Sequence, residues 1–226
     1  SSTVLEAATN VTLAQRLDLA GNAVLNSSLN ELTLSGILSG VGGFTKDGSG
    51  SITLHGVNTY TGSTLVNAGK VIVNNSQSLG QNNQAIFAAG TELETSAGVS
   101  LANEVQLAGN TTLHSLTNNS TLNGVISGVG SLTQDGSGNL SLSGVNTYTG
   151  DTKINAGKVI VSNNQSLGKD NSVVLQTGTR LETAADVSLS NRIQLAGNST
   201  IDSLSTNSIV SGVISGAGSL SKEGAG

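Results

Sequence analysis

The chain has 226 residues and a formal net charge of −5, with 30 Gly and no Pro, Cys, Met or Trp. Aromatic residues make up 2% and charged residues 10%, so the large rings and flexible Met that fill an irregular globular core are missing. There is no basic patch for a phosphate backbone, no thiol for a disulfide, metal site or nucleophile, and no apolar run approaching the roughly 18 residues of a membrane helix.

Taken in chain order, the sequence is a succession of short segments in which apolar and polar residues alternate. TVLE at Thr3 and RLDLAGN at Arg16 come first, then SITLHG at Ser51, the denser KVIVNN at Lys70, TELE at Thr91, EVQLAG at Glu104 and NLSLSG at Asn139. Gly, Asn, Ser or Asp bounds each, which is the signature of strands and turns. Turns such as DGSG, NAG and AGN supply residues that tolerate positive φ. No apolar stripe of helical period is sustained. Val, Ile, Leu and Thr recur throughout with little charge, a composition unlike that of disordered chains.

The segments repeat. GVNTYTGSTLVNAGKVIVNNSQSLG begins at Gly56 and GVNTYTGDTKINAGKVIVSNNQSLG at Gly144, 88 residues later. The same offset relates Arg16, Glu104 and Arg192, the stretches opening at Ser39, Ser127 and Ser215, and those opening at Thr3, Thr91 and Thr179. About two and a half copies are present, at 13–100, 101–188 and, in part, 189–226. Repetition at this length is the mark of a solenoid. Strands recur at about 20-residue intervals, so the period reads as about four coils of roughly 22 residues. The chain would then hold about ten coils, a single rod (1–226) near 50 Å long at the spacing of paired strands.

Differences between the copies follow the two faces of a strand. Val105 exchanges with Leu17 and Ile193, Phe44 with Leu132 and Leu220, Phe87 with Leu175, and Val66 with Ile154; all are expected inside, as are Leu107 and Leu195. Glu104 becomes Arg16 or Arg192, Glu92 becomes Arg180, Ser63 becomes Asp151 and Leu65 becomes Lys153; these are expected outside. Burial restrains one set and water releases the other.

The unit G-S-L-T-x-D-G-S-G-x-L-x-L-S-G followed by G-V-N-T-Y-T-G-x-T-x-[VI]-N-A-G-K-V-I-V resembles the passenger-associated transport repeat of bacterial autotransporter proteins. It runs from Gly43 to Gly62 and on through 67–73, and again from Gly130 to Gly150 and on through 155–161. The resemblance implies an all-β, right-handed parallel β-helix, exported through the outer membrane and tethered at the bacterial surface by a C-terminal β-barrel absent from this chain. It also implies a passenger of adhesin or self-associating type, for which a chain without Cys suits passage through a narrow pore. The Ser-Ser opening and the SKEGAG close, which breaks off inside a pattern seen whole elsewhere, read as an excised piece.

No catalytic, cofactor or metal site emerges, and a binding site is not located. His55 aligns with Ser143, and His114 with Asn26 and Asp202, which makes both solvent-facing polar positions. There is no G-x-S-x-G or HExxH motif. Glu92 and Glu94 share a face as an acid pair could, but the next copy has Arg180 beside Glu182, which reads as a solvated strand face. Asp47 and Asp135 head DGSG turns that supply one carboxylate each, too few for a calcium loop. Tyr60 and Tyr148 are expected at coil corners with their hydroxyls in water. Asn58 and Asn146 are expected in turn or ladder hydrogen bonds, with stacked amides satisfying one another. Several N-x-S/T triplets, for example at Asn10, Asn110 and Asn198, arise by chance in so polar a chain. The expected partners are identical passengers or a host matrix protein or glycan, with no cofactor, nucleic acid or membrane contact for this segment. The alternatives are an inert stalk presenting another domain and, third, a polysaccharide-cleaving β-helix.

Overall fold

The computed structural model describes residues 3–116, 119–204 and 207–225; the opening Ser1 and Ser2 and the closing Gly226 lie outside them. Among the described residues there are 29 short strands and no helix, all paired in parallel. They stack as a β-solenoid of about 11 turns.

Three sheets form the walls. The first face runs from Thr3–Glu6 through Phe44–Asp47 and Thr64–Val66 to Ile126–Gly128, seven strands in all. It resumes as the pair Ser188–Leu189 and Ile209–Val210. The second face is unbroken over eleven strands, from Val11–Leu13 to Ile214–Gly216. The third opens with Leu17–Asp18 against Leu38–Ser39 and continues as seven strands from Ser100–Leu101 to Leu220–Glu223.

Alternation then builds the interior. In Thr91–Thr95, Thr91, Leu93 and Thr95 are buried while Glu92 and Glu94 face outward. Registry stacks like on like: Ile52, Val71, Leu93 and Leu113 form one inward column of the second face. Val105, Ile193, Phe44, Leu132, Phe87, Leu175, Leu107 and Leu195 are all buried, as their exchanges between copies predict. Leu220 departs from that prediction: it is 38% exposed, and among the described residues its strand is paired on one side only, with Ser199–Ser203. The apolar part of the narrow core is aliphatic apart from Phe44, Phe87, Tyr60 and Tyr148, and buried Thr, Ser and Asn lie beside it.

Corners are turned by side-chain pins and glycines. Asn22, Asn110 and Asn198, equivalent in the three copies, each accept with Oδ1 a backbone N–H of the next coil, from Gly43, Ser131 and Ser219, at 2.9, 3.1 and 3.0 Å. The Asn110 and Asn198 triplets are therefore corner pins, and Asn10 likewise accepts the N–H of Glu31.

The coil is shorter than the period suggests. Along the second face, registry leads from Ser51 to Lys70, Glu92, Thr112 and Thr133, steps of 19, 22, 20 and 21 residues. Four coils thus cover 82 residues, and the remaining six of the 88 carry the chain round a corner to Asn139, on the third face. The period is four coils and one face, not four coils of 22. Each copy is accordingly turned onto the next wall: Thr64–Val66 lies on the first face and its equivalent Thr152–Ile154 on the second, whereas Lys70–Val73 lies on the second and Lys158–Val161 on the third.

Gly69 takes φ +71°, and a Cβ there would lie 2.3 Å from the Gly50 carbonyl oxygen; Gly90, at φ +76°, has nothing within 4 Å of its would-be Cβ. Both pay the left-handed cost when replaced by Ala, but only Gly69 adds a backbone clash. Gly90→Ala is expected to cost about 1 kcal/mol and Gly69→Ala about 3 kcal/mol or more, read from urea unfolding; equal losses would contradict this corner geometry.

Candidate interaction surface

The residues singled out in the repeat unit turn inward. Asn58 is fully buried where the third-face ladder is interrupted, between Leu38–Ser39 and Ser100–Leu101. Its Oδ1 accepts the Leu38 N–H at 2.8 Å from the coil below, and its Nδ2 donates to the Ser78 carbonyl at 2.6 Å in the coil above. Asn146 repeats this on the first face, with Ile126 N–H at 2.8 Å and the Ser166 carbonyl at 2.6 Å. These amides add rungs to the few backbone bonds that remain there, such as Thr59 N–H to the Leu38 carbonyl and Thr147 N–H to the Ile126 carbonyl, rather than stacking on one another as the ladder expectation had it. Amide-to-amide bonds occur instead at Asn83–Asn103 and Asn171–Asn191, both 2.6 Å.

The tyrosines correct another expectation. Tyr60 and Tyr148 have no exposed surface, and their hydroxyls, expected in water, lie 2.6 Å from the Thr64 and Thr152 hydroxyls. Burial pushes both phenols well above their ordinary range. The Tyr60 ring packs on Phe44 at a centroid distance of 5.6 Å. Neither ring offers a face to a ligand.

Lys46 is a buried cation that the sequence reading passed over. It occupies an inward position of Phe44–Asp47, and its ammonium donates to the carbonyls of Asp47, Gly48 and Ala68 at 3.0, 2.5 and 3.1 Å. Its equivalent Gln134 donates to Gly136 and Gly138, and Lys222 to Gly224. All three positions cap turn carbonyls. Burial pulls the Lys46 amine down to about 8, with the Asp47 charge opposing. The position therefore signals itself only as a long polar donor in an inward phase.

The outward surface carries two charged columns. On the second face Lys70 lies 3.2 Å from Glu92 and 3.0 Å from Glu94, and His114 Nε2 lies 3.2 Å from Glu92. Burial lowers the Lys70 amine, but the hydrogen bonds it donates to Glu94 and Glu92 outweigh it and leave the group raised. On the third face the equivalents form Lys158–Glu182 at 2.6 Å and Arg180–Asp202 at 2.8 Å, with Arg180–Glu223 at 2.7 Å. Glu92 and Glu94 do share a face, as expected, and both are engaged by Lys70. His55 is exposed beside Asn74, whereas His114 is half-buried in its column. Among the described residues no group of three His, Asp or Glu is arranged to hold a metal ion. Asp47 accepts from Asn67 at 2.8 Å.

Shallow polar grooves follow the same rotation. One is lined by Ser49, Ser51, Gly69, Lys70 and Glu92, another by their equivalents Ser137, Asn139, Gly157, Lys158 and Arg180. Exposed aliphatics also recur: Ile37, Val41 and Val57 in one copy, Val125, Val129 and Val145 in the next. Sequence reasoning missed these, although three aliphatics retained at equal spacing among exposed turns were the available signal.

Residues 44–73 and 132–161 match the passenger-associated-transport-repeat family. The chain is also 35% identical over 102 residues to the adhesin BmaC autotransporter of Brucella suis biovar 1 (strain 1330), an alignment covering 45% of this chain and 3% of that protein. No solved structure matches. The two units recognised from their Gly, Asn and Tyr placement are thus passenger-associated transport repeats.

Two variants probe the inward residues. Asn58→Ala leaves Leu38 N–H and the Ser78 carbonyl without their partner and is expected to cost about 2–5 kcal/mol, with Asn146→Ala alike; denaturant unfolding measures both. For Lys46 the folded amine loses its proton near pH 8 and the unfolded one near 10.5. The unfolded chain binds more protons between these values, so stability rises with pH across the window. The wild type is expected to gain stability from pH 7.5 to 9.5, and Lys46→Gln, which copies Gln134, to lose most of that slope.

Proposed function

We propose that this stretch of autotransporter passenger is a structural and adhesive rod of the bacterial surface, anchored to the outer membrane in the whole protein. It holds extended polar faces away from the cell and engages identical passengers on neighbouring cells, or a host matrix protein or glycan, to support adhesion, autoaggregation and biofilm. The similarity to an autotransporter adhesin carries this reading, and the regular solenoid is consistent with it. Long faces of Asn, Ser, Thr and paired charge suit many weak contacts. Each hydrogen bond is worth about 0.5–1.5 kcal/mol, and repetition along a rod sums them. A non-enzymatic role agrees with carboxylates already engaged in ion-pair columns and with tyrosines that face inward.

A second reading, a stalk presenting a functional domain elsewhere, is favoured by one observation: the aligned stretch spans only 3% of the adhesin. Display of the rod through a heterologous barrel on a non-aggregating bacterium separates the two. Faster settling of the culture, or capture on immobilised matrix protein or glycan, is expected. Cells that stay dispersed and bind neither would leave only the stalk.

A further inference from the structure

Each period carries an outward column with a charged residue at its head and exposed aliphatics above. At the head of the third face stand Arg16, Ile37 (45% exposed) and Val57 (54%), in registry because Leu17 pairs with Leu38 and the Leu38 carbonyl accepts the Thr59 N–H at 2.8 Å. At the head of the first face stand Glu104, Val125 (39%) and Val145 (54%), fixed by Val105 against Ile126 and by the Thr147 N–H donating to the Ile126 carbonyl at 2.8 Å. At the head of the second stand Arg192 and Val213. Arg16, Glu104 and Arg192 are exposed, and none makes an ion pair among the described residues. Arg16 is steadied by the Ser39 hydroxyl at 3.0 Å.

We propose that these columns are lateral docking surfaces for a second copy of this chain, the Glu104 column of one rod meeting the Arg16 or Arg192 column of its neighbour. Charge complementarity identifies the occupant. The aliphatic parts are alike, but the heads of successive columns are opposite in sign, so an unlike pair sets Glu against Arg while a like pair sets two equal charges together. Orientation follows from the same residues. The charge stands at the N-terminal end of every column, so heads and aliphatics both match only when the rods run parallel. Unlike columns are one period apart, which staggers the rods by four coils and a face, roughly 21 Å along the axis. Because successive columns point from different walls, each rod meets different neighbours on different sides, a head-to-tail contact that does not close. This rests on the proposed surface-displayed passenger rod and adds to it a parallel copy on the same surface as lateral partner; a rod from a facing cell, running antiparallel, does not match these columns.

The chain has no Cys, so single-Cys variants at exposed Val57 and Val145 report the contact cleanly, with circular dichroism verifying that each remains β. Val57→Cys mixed with Val145→Cys and a short bis-maleimide is expected to give cross-linked dimer several-fold above either variant alone. Adding Glu104→Arg to the Val145→Cys chain is expected to lower the yield about fivefold, and adding Arg16→Glu to the Val57→Cys chain as well should restore it. Equal yields from like and unlike mixtures, a swap that fails to restore, or no cross-linking in any mixture would overturn the proposal. If displayed rods still aggregate cells or bind matrix protein or glycan in that event, the adhesive reading survives it; if cells also stay dispersed and bind neither, both fall.

Discussion

Every coil of this rod leaves its backbone N–H and C=O groups pointing along the axis, where only the coils above and below can satisfy them. Unpaired buried groups are expensive, so neighbouring coils are bound to lie about 4.8 Å apart and in registry. Registry then decides the rest. Inward residues form columns of like size, such as Ile52, Val71, Leu93 and Leu113, and outward residues form columns whose chemistry is free. Where the backbone cannot supply the next rung, a side chain must. Asn58 and Asn146 do so with an acceptor directed down and a donor directed up.

The same constraint allows coils to differ slightly in length, and that freedom sets the surface. Steps of 19 to 22 residues preserve the ladder because the surplus loops out at corners. The 88-residue period need not equal a whole number of coils, and it does not. Equivalent grooves, charged columns and aliphatics are consequently distributed over the three walls instead of repeating down one. A flat partner laid along a single wall meets equivalent features far less often than the sequence repetition suggests. Partners arranged around the rod meet them on every side.

How much of this was legible depends on what each residue reports. Inward and outward phases were readable because copies compare like with like: Phe87 against Leu175 marks the core and Glu92 against Arg180 marks water. The strand-and-turn organisation was readable from Gly, Asn and alternation. The coil length was not, since the period counts residues and only registry counts turns. The Tyr60 hydroxyl was assigned to water because its partner, Thr64, becomes a neighbour only when the corner folds. Lys46 escaped notice for a similar reason: a charge in an inward phase looks like an exception until Asp47, Gly48 and Ala68 turn three carbonyls toward it.

Rotation by one face per period also bears on how so slender a core holds together. Solenoid stability is summed from neighbouring coils, so a weakness repeated at one place on every period would run as a seam along the rod. The transport repeat brings such a weakness, because at Asn58–Tyr60 the regular strand gives way to isolated backbone rungs, such as Thr59 N–H to the Leu38 carbonyl and Asn58 N–H to the Gln77 carbonyl, supplemented by a side-chain pin. In the first copy the gap falls on the third face, between Leu38–Ser39 and Ser100–Leu101, and in the second it falls on the first face, between Ile126–Gly128 and Ser188–Leu189. The second face spans both levels as eleven uninterrupted strands. Each gap is therefore flanked by intact ladders on the two other walls. A period of four whole coils would have stacked the gaps one above another; the additional face keeps them apart.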